Sequence, residues 1–231
     1  MMPKLKIDLR LFEIDGEFTA LGEYLEVLEH QLKFLKDQRT VQVQADLKVS
    51  GRDSDWTEVD IARQDLRYET EHVYPWAFRG SFVILLWALY ETCVTEVAEF
   101  LQHRGRFELG LKDLRGDNFI TRARKYFEHI LRFPLHSDPT IWDRLDRLYL
   151  VRNAFAHAGG RLSMMNEKAR RGVQNLIRDG HDLTEDIGDV LVGAHFARES
   201  YDLVSALARD LAKRAREWDD HRKAGGGAHV G

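Results

Sequence analysis

Residues 82–90 read FVILLWALY, the longest uncharged apolar run in a chain of 231 residues. The run lies inside a segment of helical character, roughly Trp76 to His103, that is apolar on nearly all sides. A helix without a polar face must be covered by its neighbours, so this segment is expected to be the central helix of a bundle. Nine residues are about half of what a membrane-spanning helix needs, and we therefore expect no membrane span.

Helical segments are predicted on both sides of the central helix. Before it, Asp55 begins a long helical stretch that Pro75 is expected to interrupt. After it, glycine and proline residues separate four further predicted helices, at about residues 116–130, 141–157, 163–178 and 193–218. The predicted fold class is therefore mainly α, with an up-and-down helical bundle over residues 53–218.

The first 52 residues predict a small separate unit. Apolar residues alternate with charged or polar ones from Leu5 to Leu11 and again from Val41 to Val49, which is typical of strands with one buried face. Between them, residues 17–38 have leucines at helical spacing. We therefore predict a strand-helix-strand unit for residues 1–52, and a disordered tail for the glycine-rich residues 219–231.

Composition excludes several classes of protein. Cys93 is the only cysteine, which rules out a disulfide scaffold and a cysteine zinc site and favours a reducing, cytoplasmic location. The net charge is −4, so the chain is not a general polycation, although residues 101–152 carry 11 basic and 7 acidic side chains. Metal-ligand spacings and the common phosphate-binding and hydrolase motifs are absent, so neither a metal nor a cofactor is expected.

One segment stands out as a candidate site, LYLVRNAFAHAGG at residues 148–160. An arginine followed by a histidine five positions later occurs four times in the chain, which is unremarkable. Only Arg152 is also followed directly by asparagine, giving the set Arg152, Asn153 and His157. Asp138 or Thr140 is expected to cap the helix that carries this set, and the two glycines after Ala158 are expected to end it.

A helical wheel places Arg152 at an otherwise apolar position of this helix, on the stripe expected to be buried. A buried arginine is costly unless it is paired, and Glu91, in the apolar row of the central helix, is the candidate partner. Asn153 and His157 share the opposite side, one turn apart. Trp142, Tyr149 and Leu150 extend an apolar area on that side, which a homodimer contact would cover.

The Arg152-Asn153-x-x-x-His157 pattern, at the end of an apolar helix and before two glycines, resembles the HEPN superfamily. The resemblance covers roughly residues 55–218. It implies a helical bundle and, for many members, a metal-independent endoribonuclease of toxin–antitoxin or phage-defence systems whose two motifs form one composite site in a homodimer. It makes Arg152, Asn153 and His157 the catalytic set.

The chemistry of these residue types suits such an activity. An imidazole can move the protons that attack by an RNA 2′-hydroxyl requires, and a guanidinium can stabilise the charge on phosphorus. Arg122, Arg124 and Lys125 are the expected contacts to RNA phosphates. Alternatives are an inert HEPN domain that binds RNA, a nucleotide or a protein partner such as an antitoxin, and a purely helical oligomerisation module.

Overall fold

The computed structural model describes residues 10–116, 118–136 and 138–225, and these residues form a mainly helical protein, as the sequence predicts. Two short π-helical segments, Tyr68–Val73 and Tyr126–Ile130, directly follow α-helices. The α-helices are α1 (Arg10–Val49), α2 (Trp56–Arg67), α3 (Tyr74–Gly105), α4 (Phe119–Lys125), α5 (Thr140–Ala158), α6 (Glu167–Arg178) and α7 (Ala194–Gly225).

The chain divides into two compact units, and long helices contribute to both. The first unit contains the described residues up to Leu21, Leu86–Leu145, and α7 from Tyr201 onward. The second contains Gly22–Leu85 and Asp146–Ser200. The domain boundaries predicted at residues 52 and 218 stay predictions.

The first unit is built around large buried side chains, among them Phe18, Leu86, Trp87, Tyr90, Tyr126 and Phe127. The hydroxyl of Tyr201 donates to the carbonyl oxygen of Phe18 over 2.8 Å, which ties α7 to α1 within this unit. Tyr90 and His136 form a buried polar pair, with 2.7 Å between the phenol oxygen and Nε2.

The second unit contains a two-stranded antiparallel sheet, β1 (Leu183–Asp186) and β2 (Asp189–Val192). Ile187 and Gly188 between the strands both have positive φ, 51° and 82°, as a two-residue hairpin turn requires. Sequence reasoning missed this hairpin, because its polar segment was treated as the connection between two helices. Arg79 of α3 makes a two-pronged ion pair with Glu29 of α1, with both nitrogen–oxygen distances 2.7 Å.

The strand prediction for residues 41–49 is wrong, because this segment is the last part of the continuous helix α1. Only Val43 and Leu47, one helical turn apart, are partly covered, whereas Val41 and Val49 are exposed. The alternation is therefore not a buried strand face, and the intervening glutamine and lysine residues are good helix formers. Of the other predicted strand, Leu5 to Leu11, residues 5–9 lie outside the described part, and Leu11 is helical and buried.

Several predicted helix starts and ends are confirmed with small shifts, whereas α1 and α7 are longer than predicted. The Asp55 carboxylate accepts hydrogen bonds from the backbone amides of Thr57 and Glu58, so Asp55 caps α2 as predicted. The Asp138 carboxylate accepts from the Thr140 amide and hydroxyl, at 2.9 and 2.8 Å, at the start of α5. Pro75 lies inside the helical run instead of breaking it, because a wider π-helical turn precedes it. The tail prediction fails for residues 219–225, which are helical, while residues 226–231 lie outside the described part.

The apolar run identified at the outset lies in α3 and is largely buried, although Leu85 is 48% exposed. By length and composition the helical stretch Trp56–Gly105 could cross a membrane. Half of its most apolar window is buried inside the protein, which is equally typical of the core helix of a soluble protein. The cytoplasmic location stays a prediction.

Candidate functional site at the end of helix α5

The motif residues lie in the last two turns of α5, within the second unit. Val151 and Phe155 on the same helix are buried, at 0% and 7% exposure, as the helical wheel predicts. Arg152 and Asn153 are half-buried between them and the surface, and His157 is exposed. The helix therefore holds the arginine by its aliphatic stem and presents the histidine to solvent.

The guanidinium of Arg152 is bound by its sequence neighbour. Nη1 of Arg152 donates to the amide oxygen of Asn153 over 2.8 Å. Nε of Arg152 is buried and has no hydrogen-bond partner among the described residues. Asn153 is neutral, so this contact orients the guanidinium without compensating its charge.

Asn153 lies on the His157 side of the helix and accepts a hydrogen bond from Arg152, which the wheel placed on the other side. His157 is one helical turn after Asn153, so these two side chains share a face. The hydrogen bond draws the end of Arg152 toward the Asn153 side. No hydrogen bond or ion pair in the described part of the chain engages the His157 ring, so both ring nitrogens are open to a ligand.

Two glycines end α5 directly after the motif, as predicted. Gly159 and Gly160 have positive φ values of 56° and 77°, and their amides close the helix by donating to the carbonyls of Phe155 and Ala154, both at 3.0 Å. Two elements hold this turn in place. Trp76 of α3 donates through Nε1 to the Gly159 carbonyl over 2.9 Å.

The hairpin provides the second support for the end of α5. The Gly160 carbonyl accepts from the Val190 amide, and the Leu162 amide donates to the Gly188 carbonyl, both over 2.9 Å. Phe155 packs on the backbone of α3 at Gly80, where an added Cβ would lie 2.3 Å from the ring. His157 is therefore on a rigid frame, although its own side chain is free in solvent.

A buried histidine that sequence reasoning did not select anchors the hairpin. His72 is 4% exposed, and its Nδ1 and Nε2 lie 2.8 and 3.2 Å from carboxylate oxygens of Asp186 and Asp189. These two contacts join the π-helical turn that precedes α3 to both strands of the hairpin. More than 110 residues separate the partners, so no local pattern could reveal them; only the Ile187-Gly188 turn was detectable.

The remaining predicted site residues belong to the first unit. Glu91 accepts a hydrogen bond from the Trp87 indole over 2.6 Å, and its predicted contact with Arg152 stays a prediction. Arg124 is paired with Glu128 over 2.8 Å and lies over the Trp142 ring, whereas Lys125 is exposed. Arg122 lines a cavity of about 420 Å³, and its Nε is buried without a partner among the described residues.

The apolar area expected to drive pairing of two α5 helices is not an exposed patch. Leu150 is half-buried on α6, where an added Cβ at Gly172 would lie 2.9 Å from its Cδ2. Trp142 is packed against His136, with ring centroids 5.3 Å apart. The wheel could not show this, because it does not include the helix and loop that cover these side chains.

No group of three or more histidine, cysteine or acidic side chains in the described part of the chain is arranged to hold a metal ion. At His72, the two carboxylates face opposite ring nitrogens and do not converge on one point. No protein-family model, curated protein or solved structure matches this chain. What the site can do is therefore argued from its own chemistry.

Proposed function

We propose that this chain is a metal-independent endoribonuclease of the HEPN type, an up-and-down helical bundle that acts at Arg152, Asn153 and His157. One observation carries the proposal: a half-buried arginine, oriented by a neutral amide and without an acidic partner in the described residues, lies in the same two helical turns as an unengaged histidine. An uncompensated guanidinium attracts a phosphate, and an imidazole on the same helix can transfer a proton.

The reaction needs only groups that this set supplies. His157 takes the proton from the RNA 2′-hydroxyl, whose oxygen forms a bond to the adjacent phosphorus. The bond from phosphorus to the 5′-oxygen breaks, and that oxygen takes a proton from water, while the protonated His157 returns its proton to the solvent. Arg152 stabilises the negative charge that builds up on the phosphoryl oxygens, and Asn153 holds Arg152 in place. The products are a 2′,3′-cyclic phosphate and a 5′-hydroxyl, and no oxidant or metal takes part.

We further propose that RNA is held by the basic side chains of α4, chiefly Arg122 and Lys125. Arg124 is a weaker candidate than the sequence suggested, because Glu128 already compensates its charge. We propose that the active form is a homodimer in which the two motifs form one composite site. His157 of one chain and Arg152 of its partner then act on the same phosphate. A role in toxin–antitoxin or phage defence accompanies this proposal, as does an antitoxin or defence partner.

The test is cleavage of total RNA and tRNA by the purified chain in excess EDTA, with the product ends mapped. We expect cyclic phosphate ends from the wild type and at least ~100-fold slower cleavage by His157→Ala. His129→Ala is the matched control, because His129 is also exposed, near a helix end and five residues after an arginine. Activity that EDTA abolishes and a divalent ion restores would refute the mechanism. Equal inactivity of folded wild type and His157→Ala would favour an RNA-binding or protein-binding domain.

The composite form is tested by mixing two inactive variants, Arg152→Ala and His157→Ala. If each active site draws on both chains, exchange of subunits produces dimers with one intact site, and part of the activity returns. Unchanged inactivity after verified subunit exchange would show that each chain cleaves with its own residues.

A further inference from the structure

Helix α1 carries apolar side chains on its outer surface as well as in the core. Tyr24, Val27, Phe34 and Val41 are 44%, 56%, 48% and 68% exposed. With the exposed Gln31 and Gln38 they follow a spacing of three, four, three, four and three residues. This is the repeat of a coiled-coil seam. We call these six residues the α1 seam.

The seam is separate from the face that α1 buries within the chain. At 100° per residue, the six seam positions fall within an arc of about 100°. Leu21, Leu25, Leu28 and Leu32, all buried, occupy another arc whose centre is about 120° away. Tyr24 borders the core, where its ring stacks on Phe82 at 6.4 Å between centroids, whereas Val27, Phe34 and Val41 point away from the buried face and are largely exposed.

The part of α1 beyond the core has little to hold it. From Lys33 to Val49 no described side chain of this helix is fully buried, and α2, which follows it, buries none. A solvated helix of this length depends on tertiary packing or ion pairs. Lys36 and Arg39 pair with Glu71 and Glu69 on one side, at 2.9 and 2.7 Å, and leave the seam side uncovered.

We propose that the α1 seam binds the same seam of a second copy of this chain, with the two helices antiparallel. The spacing reads the same from either end, so a two-fold axis between residues 32 and 33 places Tyr24 opposite Val41 of the partner. It likewise places Val27 opposite Gln38 and Gln31 opposite Phe34, and each contact occurs twice. The seam is about 26 Å long at 1.5 Å per residue.

Polar residues beside the seam favour the antiparallel orientation, because an imidazole can donate a hydrogen bond to a carboxylate. His30 and Asp37 flank the seam on one side and are exposed. Antiparallel pairing places His30 of each chain beside Asp37 of the other, which gives two complementary contacts. A parallel pairing would place His30 beside Leu35 and Asp37 beside Gln42, with no charge complementarity. The two glutamines keep the seam partly polar, which is typical of a reversible contact with a fixed register.

The first test is the molar mass of the full chain by light scattering and sedimentation over a concentration series. Phe34→Glu and Val41→Glu should each halve the mass and raise the dissociation constant at least ~10-fold, because every dimer loses two seam contacts. Ile61→Glu is the control, because Ile61 is an equally exposed apolar residue, 51%, but lies on α2. A monomeric wild type, or seam variants that keep the wild-type mass, would overturn the proposal.

Disulfide cross-linking tests the orientation. The double variant Val27→Cys/Gln38→Cys should form a covalent dimer on mild oxidation. Either single variant should not, because Val27 and its own copy are about 17 Å apart along an antiparallel pair. Cross-linking by the single variants would instead show a parallel seam. The native Cys93 does not interfere, because it is buried and burial raises the pKa of its thiol to about 12.

This inference does not rest on the proposed ribonuclease activity, since a seam dimer forms whether or not the chain cleaves RNA. If two chains also pair through their α5 helices, the two kinds of contact together form a closed tetramer. The seam variants of that tetramer are then dimers. The mass halves in either case. Loss of pairing without loss of cleavage separates the two proposals.

Discussion

Three helical segments in the described part of the chain carry an arginine followed five residues later by an exposed histidine, and two of them, at Arg124 and Arg152, have different surroundings. In the first, Arg124 pairs with Glu128 and lies over Trp142. In the second, Arg152 bonds to a neutral amide and keeps a buried Nε without a partner in the described residues. The same arginine–histidine spacing therefore occurs with and without a charged partner for the arginine, so the spacing alone does not distinguish a candidate site.

The largest expected difference between the two segments is the effect on cleavage of replacing each arginine by alanine. Arg152→Ala should lower kcat about 10²–10³-fold, because the charge that develops on phosphorus loses its fixed counter-charge. Arg124→Ala should raise KM by a few-fold at most, since Glu128 already neutralises this side chain. Steady-state kinetics on a short RNA measures both, with circular dichroism to verify folding. Arg152→Lys keeps the charge but not the fork, and should remain well below wild type; equal losses in the two alanine variants would contradict the comparison.

A second prediction concerns the stability of the protein in acid. It depends on His136, which packs against Trp142, the ring over which Arg124 lies. Burial, with Arg214 nearby, lowers the pKa of His136 to about 4, from 6.5 in the unfolded chain, while Asp210 opposes the shift. The unfolded state therefore binds the proton first as pH falls. The stability contribution is complete above pH 6.5 and is lost progressively toward pH 4, by about 3 kcal/mol.

His136→Gln removes this titration and keeps a hydrogen-bond partner for Tyr90. The difference in unfolding free energy between wild type and variant should therefore shrink by about 3 kcal/mol between pH 7 and pH 4, measured by urea unfolding. Every other group titrates alike in both proteins. A difference that does not change with pH would show that His136 is not the responsible group.

The third prediction concerns Asn153, the neutral hydrogen-bond partner that distinguishes the Arg152 segment from the Arg124 segment. Asn153→Ala should slow cleavage about 10–30-fold, mainly through kcat, because Arg152 loses the acceptor that orients it. Asn175→Ala is the matched control, since Asn175 also accepts from an arginine, Arg178, but at the exposed end of α6. An effect on unfolding with none on kcat would reduce Asn153 to a structural role.

The smallest expected effect tests the frame beneath the motif. Gly80→Ala introduces a methyl group 2.3 Å from the Phe155 ring and should destabilise the protein by about 1–2 kcal/mol. Gly16→Ala meets nothing within 4 Å and should stabilise helix α1 by about 0.5–1 kcal/mol. Thermal unfolding of the two variants should therefore shift in opposite directions. A neutral Gly80→Ala would mean that Phe155 can move aside freely.

Short sequence patterns predicted many of the helices and several of their ends. Asp55 and Asp138 cap helices where the sequence indicated, and Gly159 and Gly160 end α5. Each of these depends on a few neighbouring residues, so a short window suffices. The strand predicted at residues 41–49 failed for the converse reason, since its alternation described exposed positions on a long helix.

The candidate site likewise has features that the sequence predicted and features that it could not predict. The sequence identified Arg152, Asn153 and His157 and the buried stripe beside them, because all lie on one helix whose geometry is fixed. It could not show that Asn153 holds Arg152, or that α6 covers Leu150, because rotamers and packing depend on distant neighbours.

By itself, then, the sequence determined that the chain is mainly helical, where most helices begin and end, and which three residues form a motif. Tertiary structure alone decided that Arg124 lies over the Trp142 ring, that His72 anchors a hairpin across more than 110 residues, and that α1 leaves an apolar seam exposed. The physical reason is the sequence separation over which each interaction acts. Caps and helical faces are set within one or two turns, whereas burial and charge compensation depend on which distant side chains the fold brings into contact.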